Sequence, residues 1–461
     1  VDISRLALLQ VVTAIVLFWV VQQIIYLTVI APGAILTAIP FLQIQRTLFD
    51  PPLWSVVVLL VIGLIASRWL LDAWLKLAYG LQPLTLGKLG TYSPETVQSL
   101  NRYCRQRRIP LPDLGVVPAT APLAFSYGLL PRFTRVVVSQ GLLDQLADDE
   151  IATIYAREIG HIAQRDGALL SLLTLVVQIP YTVYKQVAEW GNRQSNRVLQ
   201  ELATWVAAGG YGLYRVLHFV GLWVSRQRLY FGDRAAAELT GNPNGYTRAL
   251  LKIAIGTAKD VEHRGQSSYL LEGFDLLLPL EHRMAAALGS LYPHTPLEAV
   301  LEWDAKNPLR HWLAINRSHP PTGDRLHLLA LYARYWELST ELDFSSEVSR
   351  RQRRSSFSWR QWRLLLLQGA PFFGLAGGIL LALALSQMGA LGWRFGNSRL
   401  LWAVGDRAIL HGLALVGFSL GTFIRINSFF PDLQLSNLRP NDPSTSVTTL
   451  MQDPALLPTN S

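Results

Sequence analysis

Residues 149–166 read Asp-Glu-Ile-Ala-Thr-Ile-Tyr-Ala-Arg-Glu-Ile-Gly-His-Ile-Ala-Gln-Arg-Asp, with Arg157, Glu158 and His161 at the centre. With a histidine at 157 this would be H-E-x-x-H. In that pattern two imidazoles one helical turn apart hold a zinc ion, and the glutamate acts as general base on the metal-bound water. Arginine cannot replace that imidazole, because its guanidinium stays protonated and has no lone pair to offer a metal. The stretch therefore keeps the base and one ligand of a hydrolytic metal centre, and lacks the other imidazole.

Such residues work only on a rigid frame. The apolar residues of 149–166 recur at helical spacing, so the stretch is read as a helix. Ahead of it, Leu114-Gly115-Val116-Val117 and Arg135-Val136-Val137-Val138-Ser139 read as short strands. Ser93-Pro94 reads as a helix cap with proline in the first turn, and residues 241–245 read as a turn. After 225 the pattern is mixed and mostly helical.

Composition sets this frame in a membrane. Half of the 461 residues are apolar and only 16% are charged, with a mean hydropathy of +0.25, too apolar for a soluble enzyme of this length. One cysteine, Cys104, excludes an internal disulfide and a cysteine-based zinc knuckle. The net charge of +9 sits mainly beside hydrophobic segments, which fits membrane topology and anionic lipid better than nucleic acid.

Spans are expected at 6–30, 51–67, 364–393 and 408–424, and 167–224 as an apolar hairpin. The organisation read from this is membrane anchors at 1–85, a catalytic-type domain at 86–345, a basic segment with C-terminal spans at 346–430, and a disordered tail or linker at 431–461. Six arginines between 350 and 363 precede the third span. The positive-inside rule puts them, and the adjoining polar domain, in the cytoplasm of a bacterial cell or its organellar equivalent.

Several motifs in order resemble the membrane zinc metallopeptidases of the HtpX and CAAX prenyl protease type. They are Ala124-Phe125-Ser126-Tyr127-Gly128, the strand and turn at 135–143, the helix at 149–166, the segment from Ser225 through Leu229 to Asp233, and Ser318-His319-Pro320-Pro321-Thr322. The resemblance implies a mostly α membrane protein, with a zincin-like α+β domain on a helical transmembrane part. It also implies that Glu158 stands where the family has its general base, and that His161 stands at a zinc ligand. Asp233 matches a partner of a ligand imidazole, and His319 a residue that binds substrate or the developing oxyanion. Where the family has its third ligand, a glutamate, this chain has Leu229.

With ligands missing at Arg157 and Leu229, no zinc is expected. Zinc plus a ligand carboxylate carries +1, and so does arginine plus leucine. Arg157 is thus expected to take the ion's place, with Glu158 and Asp233 in reach and His161 nearby. Plainer readings stay open: His161 as a hydrogen-bonded core histidine, Glu158 in a structural salt bridge, and His319 ordering the proline turn. The functional expectation is a degenerate homologue that binds a membrane-protein client or partner subunit. Residues Arg135, Val136, Val137, Val138 and Ser139 are taken as the strand edge where a peptide adds. The competing reading is an active zinc endopeptidase of membrane protein quality control.

Overall fold

A computed structural model describes residues 3–25, 53–292, 294–307, 310–342, 344, 359–394 and most of 413–424. The expected ends of two spans (26–30 and 408–412), the arginines at 350–354 and the tail at 431–461 lie outside the described residues. The chain divides into two compact units: 1–18 with 57–353, and 19–56 with 354–461.

In chain order the elements begin with α1 (Ile3–Ile25), α2 (Leu53–Tyr79), β1 (Gln82–Pro83), α3 (Leu86–Tyr92), α4 (Pro94–Arg107), β2 (Asp113–Val117), β3 (Ala124–Gly128) and β4 (Thr134–Ser139). The helices α5 (Gln140–Gln145), α6 (Asp148–Gln164), α7 (Gly167–Asn192), α8 (Arg197–Thr240) and α9 (Pro243–Arg264) follow. Then come α10 (Tyr269–Gly273), α11 (His282–Leu291), α12 (Leu297–Lys306), α13 (Arg310–Leu313), α14 (Thr322–Tyr335) and α15 (Trp359–Arg394). This is a mostly helical membrane protein with one small sheet.

Among the described residues, four helical segments are long and apolar enough to cross a bilayer: Ser4–Ile25, Trp54–Tyr79, Gly167–Asn192 and Leu366–Leu385. Two features differ from the sequence expectation. The apolar stretch at 202–224 and the motif at 225–233 belong to one 44-residue helix, α8, which packs along α7. Among the described residues α7 qualifies as a span and α8 does not. In the second unit, α15 meets the helical residues near 417 so closely that a methyl group at Gly374 would strike the Gly417 carbonyl.

α6 runs through the middle of the first unit. Every residue from Glu150 to Ile162 is buried, and its hydrophobic side chains join the main core. Its first turn carries Asp148, Asp149 and Glu150, which favours the positive end of the helix dipole. Glu150 also accepts the Ala147 N–H at 2.8 Å. On α4, Ser93 caps the helix as read, accepting the Thr96 N–H at 3.0 Å.

The sheet has the order β1-β2-β4-β3, with β2 and β4 parallel and β3 and β4 antiparallel. This corrects the expected peptide edge. Residues Arg135, Val136, Val137, Val138 and Ser139 form an interior strand whose backbone pairs on both sides, so no peptide can add there. The edge beside α6 is β3. Arg135 itself ties the sheet to α2, its guanidinium 3.0 Å from Asp72, which also accepts the Tyr127 hydroxyl.

Candidate functional site

Arg157 and Glu158 are adjacent on α6 and both wholly buried. The Arg157 Nη1 donates to Glu158 Oε1, and Nη2 donates to the Leu278 carbonyl at 3.2 Å. Ser126, on β3, donates its hydroxyl to Glu158 Oε2 at 2.6 Å. Both oxygens of the would-be base are therefore engaged, one by a cation and one by a hydroxyl.

One turn on, the His161 Nδ1 lies 2.9 Å from Asp166 Oδ2. The Arg228 Nε, from α8, approaches the same two groups, 3.4 Å from His161 Nδ1 and 3.6 Å from Asp166 Oδ1. Burial and the Arg228 charge lower the pKa of His161 and keep its ring neutral. Burial alone would raise that of Asp166, but His161 and Arg228 outweigh it and hold the carboxylate ionised. An ionised carboxylate only accepts, so the imidazole carries its proton on Nδ1 and leaves the lone pair on Nε2. That Nε2 has no hydrogen-bond partner among the described residues. It faces α8 at Gly232, where an added Cβ would collide with the ring.

Asp233 belongs to a neighbouring pair and not to Arg157. Arg325, from α14, grips it through two hydrogen bonds of 2.7 Å, and the Tyr246 hydroxyl donates to it at 2.7 Å. This corrects the expectation that Arg157 reaches both Glu158 and Asp233. A bidentate guanidinium fork saturates a carboxylate, and Arg325 fills that role first.

His319 is pinned as well. Its Nε2 donates to the Leu278 carbonyl at 2.8 Å, and its Nδ1 lies 2.8 Å from the Ser318 hydroxyl, which donates to Asp275. Burial lowers the His319 pKa to about 4, so the ring is neutral at physiological pH. Arg157 and His319 thus share one backbone acceptor.

These residues do not fit a catalytic zinc ion, which takes three protein ligands and a water. Arg157 has no lone pair, and Leu229, buried on α8, has no donor atom. The oxygens of Glu158 and Asp233 are already taken. That leaves the His161 Nε2, closed off against Gly232. No group of three or more His, Cys, Asp or Glu residues among the described ones could hold a metal ion.

Sequence reading brought Arg157, Glu158, His161 and His319 to one neighbourhood, and the fold places them there. It gave no role to Arg228, Asp166, Arg325 or Tyr246. Arg228 was legible in one respect, as a charge embedded in an otherwise apolar helix face. The partner of Asp233 lies 92 residues away, beyond the reach of any local pattern.

Comparison with known proteins covers the same region. The chain is 27% identical over 249 residues to Protease HtpX of Pseudomonas putida, an alignment covering 52% of this chain and 79% of that protein. It is 28% identical over 251 residues to Protease HtpX of Stutzerimonas stutzeri, covering 52% and 81%. Protease HtpX homolog 2 of Methanosarcina acetivorans is 28% identical over 172 residues, covering 35% and 55%. The family model of peptidase family M48 matches residues 94–332, more than half of the sequence. With the helix of Glu158 and His161, the β3 edge and the His319 loop all inside that match, the chain belongs to peptidase family M48.

Proposed function

We propose that this chain is a non-proteolytic member of its family. In this reading it is a membrane-embedded scaffold, chaperone-like or assembly protein whose cleft holds an extended stretch of a membrane protein or partner subunit without cutting it. The carrying observation is the buried pairing of Arg157 with Glu158. A general base must be free to take a proton from water. Here one oxygen holds a guanidinium and the other a hydroxyl. Without a metal, the water to be activated has a pKa near 15.7 instead of about 7. The cleft retains an edge strand, β3, of the kind to which an extended chain adds through backbone hydrogen bonds; its five residues are buried, so the elements that cover it must part before a chain can add. The domain is assigned to the cytoplasmic side by the arginines at 350–363.

The test is metal analysis and proteolysis with the purified full-length protein. This reading expects essentially no zinc and no cleavage of an unfolded protein substrate. About one zinc per chain with chelator-sensitive cleavage would overturn it in favour of an active membrane endopeptidase. Arg157→His combined with Leu229→Glu should raise zinc content. Asp166 already fixes the His161 tautomer in the way second-shell carboxylates orient ligand imidazoles.

A further inference from the structure

The β3–β4 hairpin turns through residues 129–133, and this tip lies between two helices that are long and apolar enough to cross a bilayer. On one flank, the Gly128 N–H donates at 2.9 Å to the hydroxyl of Ser171, near the start of α7. On the other, the Phe133 ring lies 6.3 Å from that of Trp69 on α2. The two helices approach each other further along, where Gly63 of α2 faces the Leu172 side chain of α7.

The sequence of α2 fixes the depth of the tip. Residues 53–67 carry no charge, and Arg68 and Asp72 follow. A hydrocarbon core about 30 Å thick takes about 20 helical residues, which, counted from Leu53, reaches Asp72. Both charges there are paired with the near end of the sheet, Arg68 with Asp113 and Asp72 with Arg135. About one turn back along α2 stands Trp69, and its neighbour is Phe133. The hairpin thus points its tip toward the charge-free part of α2. The surface chemistry suits that depth. Trp69, Leu70, Leu130 and Phe133 are exposed, and they continue the exposed apolar face of α2 at Ile62 and Ile65. Tryptophan is favoured where hydrocarbon meets water. Two arginines edge the tip: Arg132 within it, and Arg165, which borders the same small hollow as Leu130 and Pro131. Both are exposed and have no ion-pair partner among the described residues.

We propose that the hairpin tip binds the surface of the membrane and selects anionic phospholipid there. Leu130 and Phe133 sit among the acyl chains beside Trp69, while Arg132 and Arg165 hold lipid phosphates. A bilayer fits better than a protein partner for two reasons. The apolar side chains of the tip run on into those of a helix that itself meets lipid, and guanidinium groups at the rim of such a patch are what anionic headgroups attract. A guanidinium also matches a phosphate through two parallel hydrogen bonds. The strand that ends in this tip carries Ser126, the hydroxyl partner of Glu158, so lipid held here sets the height of the site above the bilayer. This goes beyond the proposed role of the cleft and holds whether the cleft cuts a chain or only binds one.

The test uses the full-length protein in mixed vesicles of phosphatidylcholine and phosphatidylglycerol. A fluorophore is attached at Leu130→Cys or, as a control, at Ser339→Cys, which is exposed beside Asn244 at the start of α9; the native Cys104 is buried. A nitroxide quencher is carried on the acyl chain of one lipid or of the other, in equal amounts. The label at 130 should be quenched and the label at 339 should not. Phosphatidylglycerol should be favoured over phosphatidylcholine around position 130 by at least about fivefold, the weight of one basic side chain at an anionic surface. Arg132→Gln combined with Arg165→Gln should bring the two lipids level while quenching persists, and the corresponding double lysine variant should keep the preference. Absence of quenching at 130 would overturn the inference and leave Leu130 and Phe133 to a protein partner. Equal quenching by the two lipids, or a preference that survives the double glutamine variant, would overturn it by taking the arginines out of headgroup binding. Zinc content and proteolysis are read separately, so either reading can fail alone.

Discussion

At the scale of single residues, the centre of the site is a set of closed ion pairs. Arg157 holds Glu158, Arg228 approaches Asp166, and Arg325 holds Asp233. Removing one member of a buried pair leaves an uncompensated charge and costs about 3–5 kcal/mol. Arg157→Ala should therefore destabilise the protein by that amount in denaturant titrations. Arg157→Met combined with Glu158→Gln should recover a large part of it, because no charge is then stranded. An Arg157→Ala variant as stable as the parent would sink the idea that the guanidinium neutralises the former base. The histidines add a pH dependence whose sign is fixed. His161 and His319 have folded pKa values below the ordinary one, burial being the largest cause for both. Near pH 7 neither is protonated, folded or unfolded. Below about 6.5 the unfolded chain binds protons that the folded one refuses, so stability falls as pH falls. Each histidine contributes up to about 1.4 kcal/mol per pH unit, and for His319 the loss continues down to about 4. Between pH 6.5 and 5, His319→Gln should flatten the slope of unfolding free energy against pH by one proton's worth. An unchanged slope would mean that His319 does not titrate on unfolding.

At the scale of elements, what counts is how closely α6 and α8 approach. A methyl group at Gly160 would strike the Ala235 side chain, and one at Gly232 would strike the His161 ring. Glycine inside a helix costs about 1 kcal/mol against alanine in propensity, so these two positions trade helix stability for contact between backbones. Gly160→Ala should accordingly destabilise, by about 1–3 kcal/mol for overpacking, where an open site would show a gain. Adding Ala235→Gly should restore most of the loss, and a thermal melt of the three variants reads this directly. The same close packing explains what was legible in the sequence. Helix periodicity, the Ser93 cap and the valine run of β4 are local signals, and each maps onto an element within a residue or two; the turn read at 241–245 shrinks to Gly241 and Asn242, because Pro243 to Gly245 form the first turn of α9 under the Asn242 cap. The order of the strands is not local. A valine-rich run is what a strand buried on both faces looks like, and its sequence does not say whether a neighbour pairs on one edge or on two. Hence the sequence of β4 reads as an edge strand although it is interior, and the edge is β3. The partner of Asp233 was hidden for the same reason, since Arg325 comes from a helix that the sequence gives no cause to place beside α8.

At the scale of the whole chain, two sets of arginines compete to decide which way the molecule faces. Six lie between 350 and 363, four ahead of α15 and two in its first turns, while Arg193 and Arg197 flank the turn between α7 and α8. Positive charge near span ends is retained in the cytoplasm, so the larger set should dominate and carry the 86–345 domain with it. α7 has 26 residues, enough to cross a bilayer about 30 Å thick. If it crosses, the turn at its far end is forced to the opposite side in spite of its two arginines. Cysteine labelling separates these possibilities cleanly, because the native Cys104 is buried and lone. In intact cells with an impermeant maleimide, Arg107→Cys, at an exposed position at the end of α4, should stay unlabelled until the membrane is opened. Ser195→Cys, exposed in the α7–α8 turn, should label from outside. Labelling of Arg107→Cys in intact cells would invert the assigned orientation. Protection of Ser195→Cys alone would mean that α7 and α8 enter the bilayer as a hairpin without crossing it. In that case the two arginines at its tip would have kept their preferred side.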